Sequence, residues 1–155
     1  MSSPSSPPSA PEGELRERLL EVYARTKTIA VVGASADESK PAHEIPRYLQ
    51  TQGYRIVPVN PRGGVILGEP AASSLDDVEG PVDVVDVFRP ADEAPAIAEQ
   101  AIEIGARVLW LQLGIASAEA KRLAEAAGLT VVMNRCMGAI HRQLGLGPRP
   151  HHITG

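Results

Sequence analysis

Five short apolar runs, separated by stretches of helical length and pattern, constrain this chain more than any other feature of its sequence. The first is Thr28-Ile29-Ala30-Val31-Val32-Gly33, a β-branched run without polar alternation. Such continuity marks a strand buried on both faces, as in parallel sheets. Runs at 55–60, 82–88, 107–112 and 130–133 read as four further strands. Between them, 41–52 closes at Gly53, 91–104 stops at Gly105, and 117–127 carries Ala120, Leu123, Ala124 and Ala127 at helical spacing. Ser117 and Gly128 suit the N-cap and C-cap of that last helix. Pro46 must sit near the first turn of its own helix or bend it. Strands alternating with helices imply right-handed crossovers and helices on both faces of the sheet. The expected fold class is α/β, a Rossmann-like three-layer α/β/α fold with a mostly parallel sheet of about five strands.

The flanks read differently. Four of the fourteen prolines fall within the first eleven residues beside a serine cluster, so 1–13 is expected to be a disordered tail. The domain is expected over 14–144, and the Gly/Pro-rich stretch 145–155 as a C-terminal tail. From 14 to 27, Leu15, Leu19, Val22 and Tyr23 fall on one face of a docking helix too short for a coiled coil. The segment 61–80 reads mostly as loop, with at most a short strand and a helical turn. Ile140, His141 and Leu144 suggest a short terminal helix. A formal net charge of -4 offers no chain-wide attraction to nucleic acid or an anionic membrane. No apolar run approaches the roughly 18 residues needed to span a bilayer, and the first residues lack the basic start and apolar run of a signal peptide. A single cysteine excludes an internal disulfide framework and fits a reducing compartment, so the expected location is the cytoplasm.

In open α/β sheets the ligand crevice lies beyond the carboxyl ends of the strands, where the strand order reverses. Those ends are Gly33-Ala34-Ser35, Asn60-Pro61-Arg62, Phe88-Arg89-Pro90, Gln112-Leu113-Gly114 and Asn134-Arg135-Cys136, a polar and basic set. A dinucleotide fold expects Gly-x-Gly-x-x-Gly after the first strand, but Gly33 is followed by Ser35 and Glu38 at the other two positions. The second strand ends in Asn60 rather than the carboxylate that would hold the ribose of NAD. What survives is a turn glycine, the Ser35 hydroxyl, the Lys40 cation and a helix start that favours an anion. A phosphate-bearing ligand still fits.

Read together, Val31-Val32-Gly33-Ala34-Ser35, Ser39-Lys40-Pro41, the run from Gly53 to Pro61, the run from Asp83 to Arg89, Trp110-Leu111-Gln112-Leu113-Gly114 and Asn134-Arg135-Cys136 resemble a known family. It is that of the stand-alone CoA-binding domain proteins, similar to the N-terminal domain of the succinyl-CoA synthetase α subunit and of ADP-forming acyl-CoA synthetases. The likeness runs roughly from Tyr23 to Leu144. It implies coenzyme A or an acyl-CoA as ligand, with phosphates and nucleotide on Gly33, Ala34, Ser35 and Lys40 and the adenine end beside Val59, Asn60 and Pro61. Phe88, Arg89 and Pro90 would line the next stretch, and Gln112, Leu113, Gly114 and Asn134 the pantetheine side. Cations at Lys40, Arg62 and Arg89 suit a 3′-phosphate and a diphosphate. The synthetases' phosphorylated His lies in a second domain, and about 20 residues after Asn134 are too few for one. Catalysis is therefore not carried over.

Each of these residues also has a plainer reading. Ser35 suits an N-cap, Lys40 a solvated lysine, and Asn60-Pro61 a turn. Arg89 precedes Pro90, which biases it to an extended backbone and projects it from the strand end. Cys136 reads either as a small buried hydrophobe or as a thiol able to form a mixed disulfide with CoA. Trp110 reads as core. His151-His152 cannot complete a zinc site unaided, so no metal is expected, and His141 has no acid or nucleophile to form a triad. The first expectation is a CoA-binding carrier, sensor or regulatory module without catalysis of its own. The second is a subunit of an acyl-CoA synthetase acting with a partner chain, and the third an NADP-binding module with Arg62 on the 2′-phosphate. A homodimer through the N-terminal helix is open.

Overall fold

A computed structural model describes residues 10–149. Its elements run α1 (Gly13–Arg25), β1 (Thr28–Val32), α2 (Pro41–Thr51), β2 (Arg55–Val59), β3 (Val65–Ile66), β4 (Glu69–Pro70), β5 (Val84–Val87), α3 (Ala94–Glu103), β6 (Val108–Leu111), α4 (Ala118–Ala126), β7 (Thr130–Val132) and α5 (Met137–Gln143). Single 3-10 turns span Leu75–Asp77 and Ala91–Glu93. The five apolar runs form one parallel sheet in the order β2-β1-β5-β6-β7. The chain leaves β1 toward one edge and later returns to pair β5 on the other side of β1. That reversal makes the carboxyl end between β1 and β5 the topological switch point. Val32 is level with both Val59 and Val87, so three strands end together there.

Side chains alternate across the sheet and sort the core into two layers. One holds Leu19, Tyr23, Leu49, Trp110 and Met137, from α1, α2, β6 and α5. The other holds Val85, Leu109 and Leu111 under Ala98, Ala101, Ala120 and Ala124, whose small side chains let α3 and α4 lie close to the sheet and to each other. Each fully buried Leu, Ile or Val contributes about 1.5–3 kcal/mol. Trp110 is fully buried, as expected, and its indole N–H donates to the Arg135 carbonyl at 2.8 Å. Tyr23 is buried with its hydroxyl on the Met137 carbonyl at 2.6 Å, and its ring meets Trp110 edge-on at 5.8 Å. These contacts tie α1, β6 and α5 together. Gly138 lets α5 approach α2, since a Cβ there would stand 3.3 Å from Ile45 Cγ2.

Several boundaries differ from the sequence reading. Pro11 is buried and α1 begins at Gly13, so packing starts inside the stretch read as a tail. Leu15 is 36% exposed because burial along α1 begins one turn later, at Leu19. Ala127 is likewise exposed, because α4 ends at Ala126. Segment 61–80 contains a two-stranded hairpin, β3 with β4, rather than one short strand. Within the C-terminal stretch, Leu146 packs on the core and the Arg149 N–H donates to the Gln52 carbonyl at 2.8 Å. Residues 1–9 and 150–155, including His151 and His152, lie outside the described residues. Asp83 accepts from the Lys27 and Thr28 amides at 2.9 and 3.0 Å, closing the start of β1 onto the start of β5. Ser117 caps α4 by accepting from the Ala120 N–H at 3.1 Å, as its position predicts. Among the described residues no helix is long and apolar enough to cross a membrane.

Candidate functional site

The turn after β1 is built from both sides. Gly33 has φ +89° and donates to the Val59 carbonyl at 3.0 Å. The Ala34 carbonyl accepts from Asn60 Nδ2 at 2.9 Å, which joins this turn to the end of β2. Ser35 is held by the first turn of α2 through both backbone groups. Its N–H donates to the Ala42 carbonyl at 3.2 Å, and its carbonyl accepts from His43 Nδ1 at 2.7 Å. The Ala42 carbonyl is available because the residue four positions on is Pro46, which has no N–H to donate back. Pro46 thus lies inside the helix and dedicates a helical carbonyl to the turn. Its replacement by Ala returns a competing N–H, and the expected result is faster hydrogen exchange at the Ser35 amide. Unchanged Ser35 protection would separate Pro46 from the turn.

These groups open onto a cleft of about 650 Å³, within the ~300–1,000 Å³ typical of small-molecule sites. Nine of the residues expected from the sequence line it: Gly33, Ala34, Ser35, Lys40, Val59, Asn60, Pro61, Phe88 and Arg89. Arg62 lines it too. Asn60 Oδ1 accepts from the Arg62 amide at 2.8 Å, so the Asn60-Pro61 turn is a fixed feature that presents the Arg62 backbone. Ser35 Oγ accepts from the Asp37 amide at 3.0 Å, a local turn contact in place of the helix-cap role. The helix cap falls to Lys40, which offers no side-chain cap bond, and α2 starts with its dipole directed at the cleft side of the sheet.

Arg89 is held by an ion pair. Its Nε and Nη2 donate to the two carboxylate oxygens of Glu93 at 3.1 and 2.7 Å, a side-on bidentate pair at the cleft wall. That hydrogen-bonded guanidinium holds the Glu93 carboxyl below the usual glutamate range. The Arg89 stem packs over the β1 turn, where its Cδ stands 3.0 Å from the position a Cβ on Gly33 would take. Glu93 was not among the expected residues, although the i, i+4 spacing from Arg89 is in the sequence. Ser73, Ser74, Ile97 and Gln100, also on the cleft wall, carry no comparable signal.

The remaining expected residues lie outside this cleft. Pro90 is exposed at the start of the 3-10 turn. Asn134, in the left-handed region at φ 57°, accepts on Oδ1 from the Gly114 amide at 2.7 Å and joins the ends of β6 and β7. Leu113 beside them is 63% exposed. None of these, nor Gln112, lines the switch-point cleft. Gln112 is buried and donates from Nε2 to Asp86 Oδ1 at 2.5 Å. Asp86 is fully buried on the central strand, with Oδ2 lacking a hydrogen-bond partner. Burial pushes its carboxyl up to about 7 against the opposing pull of the Gln112 bond. Cys136 is half-buried and caps α5, its sulfur accepting from the Ala139 amide at 3.4 Å.

Two smaller clefts lie elsewhere. One of about 260 Å³ sits beside β2 and β4, with Glu69, Asp77 and Glu79 on its walls. Another of about 450 Å³ lies toward the amino ends of β6 and β7, near Arg18 and Arg107. Neither is at the switch point. Of these three clefts among the described residues, the first combines that position with a held glycine turn and three cations.

The chain is 38% identical over 126 residues to the protein YneT of Bacillus subtilis, covering 81% of this chain and 93% of that one. A solved structure from Thermus thermophilus superposes with a TM-score of 0.80 at 42% identity, covering 83% of this chain and 98% of that chain. An ADP-forming acetate–CoA ligase of Archaeoglobus fulgidus is 30% identical over 131 residues, or 77% of this chain, but this chain spans only 19% of the ligase. The family described as CoA binding domain matches residues 27–142, from the start of β1 into α5. The chain therefore belongs to the CoA-binding domain family.

Proposed function

We propose that this protein binds coenzyme A or an acyl-CoA in the switch-point cleft and serves as a carrier, sensor or regulatory module rather than as a catalyst. The observation that carries the reading is the convergence of Lys40, Arg62 and Arg89 on a cleft floored by the Gly33 turn. Lys40 and Arg62 make no ion pair among the described residues, so their charge is open to a ligand. A diphosphate and a 3′-phosphate supply the several anionic oxygens that three separated cations can hold. The exposed Leu113 and the Gly114–Asn134 junction, farther along the strand ends, suit the less polar pantetheine arm. We place the protein in the cytoplasm because its single cysteine fits a reducing compartment.

The test is the melting shift of the purified protein with CoA, acetyl-CoA, NADH and NADPH at equal concentration. A ligand bound only by the native state raises stability by RT ln(1 + [L]/Kd). The expected result is a shift with CoA, reduced in Lys40→Ala and Arg89→Ala as each loses about 1–3 kcal/mol of charged hydrogen bonding to phosphate. Stabilisation by the nicotinamide cofactors alone would instead support the NADP reading. A second reading is favoured by the acetate–CoA ligase relative, of which this chain matches a fifth. In that reading the chain presents a bound thioester to a partner that supplies phosphoryl chemistry. A stable co-purifying chain and CoA-dependent turnover by the pair would establish it.

A further inference from the structure

We propose that Glu93 is the cleft's internal anion, the group that a ligand's phosphate displaces from Arg89, and that it sets how strong an anion the site accepts. The inference rests on reading the cleft as a phosphate site. Both Glu93 oxygens chelate the Nε–Nη2 edge of Arg89. The pair is half-exposed, with 48% and 45% of the two side chains accessible, so it exchanges readily and contributes little to the fold. The Arg89 stem, seated over Gly33, keeps the guanidinium at the cleft wall whichever anion it holds.

A carboxylate already chelating Arg89 makes the site selective. A singly charged or one-oxygen anion gains nothing by replacing a bidentate partner. A phosphoryl group brings more charge and more acceptor oxygens, and it meets Lys40 and Arg62 in the same cleft. Glu93 then turns toward solvent, and its charge raises the threshold that an anion must pass before it is held. Release is correspondingly easy, because the carboxylate stands four residues away on the adjoining turn to recapture the guanidinium.

The test is calorimetric titration of the full chain and its E93Q, E93A, R89M and R89M/E93Q variants with CoA, and with pantetheine as a phosphate-free probe. E93Q and E93A are expected to bind CoA roughly 2- to 5-fold more tightly, the amount an exposed ion pair is worth. That gain should vanish when Arg89 is already Met, and pantetheine should show none. CoA binding that is unchanged or weaker in E93Q and E93A overturns the exchange and makes Glu93 a support for Arg89. A gain that persists without Arg89 also overturns it, leaving only general repulsion. If wild type holds CoA while either of these results is seen, the cleft reading stands and this inference alone fails. Absence of CoA binding in wild type removes both.

Discussion

Replacing Asp86 by Asn is expected to remove about 4 kcal/mol of pH-dependent instability from the protein. Asp86 lies at the centre of the sheet, fully buried, with one oxygen accepting from Gln112 and the other unpartnered. Burial raises its folded carboxyl to about 7, against ~3.9 in an unfolded chain. Below pH ~4 both states hold the proton and the group contributes its full stabilisation. Between those values the unfolded chain releases the proton while the native state keeps it, so stability falls as pH rises. The loss is complete just above the folded value, and about three pK units at 1.36 kcal/mol each give its size. Urea denaturation of wild type and Asp86→Asn at pH 5 and pH 8 isolates it, because every other titrating group is common to both proteins. The wild type should lose more stability between the two pH values by about 3 kcal/mol, the part of the loss that falls between pH 5 and the folded value of about 7. Equal losses would show that the carboxyl ionises in the fold as it does in water. The amide keeps a carbonyl for Gln112, so the strand-end contact survives the substitution.

That carboxyl also shows where sequence reading reaches its limit. In 82–88 an aspartate between valines looks the same whether it faces solvent at an edge or sits in the middle of a sheet. Only the strand order, with β5 between β1 and β6, places it in the interior. The strands themselves were legible because short, largely apolar runs bounded by Gly and Pro have few other places to go, and Ser117 announced its helix because a cap acts over three residues. The strand ends were legible as a set for the same topological reason. Which ends share a cleft was not, since that depends on crossovers that each span about twenty residues of chain. Hence Gly33, Asn60 and Arg89 meet, while Gln112 and Asn134 lie outside their cleft. The partnership of Arg89 with Glu93 depends on how the chain winds after Pro90, where a 3-10 turn brings positions four apart together. The Ala42 carbonyl that holds Ser35 is visible only once Pro46 is known to lie within the helix rather than at its start.

Substituting Gly33 by Ala is expected to abolish most ligand affinity and to destabilise the fold together, through two causes that can be separated. The first is conformational. At φ +89° an L side chain is strained, and such positions cost about 1–3 kcal/mol for any residue with a Cβ. The second is steric. The new methyl would stand 3.0 Å from Arg89 Cδ and 3.3 Å from both Arg89 Cγ and the Phe88 carbonyl carbon, so the arginine stem must lift. Lifting it moves the guanidinium away from the wall it shares with Glu93, and CoA affinity should fall by at least about tenfold, the loss of one charged hydrogen bond. Chemical denaturation of Gly33→Ala in wild-type and Arg89→Ala backgrounds divides the two causes. With Arg89 truncated, the side-chain clash is gone while the backbone strain and the Phe88 contact remain, so Gly33→Ala should be less destabilising there. Equal destabilisation in both backgrounds would mean that Arg89 does not rest on the turn. The cation would then be placed by its ion pair alone, and the β1 turn would form the cleft floor without governing the cation above it.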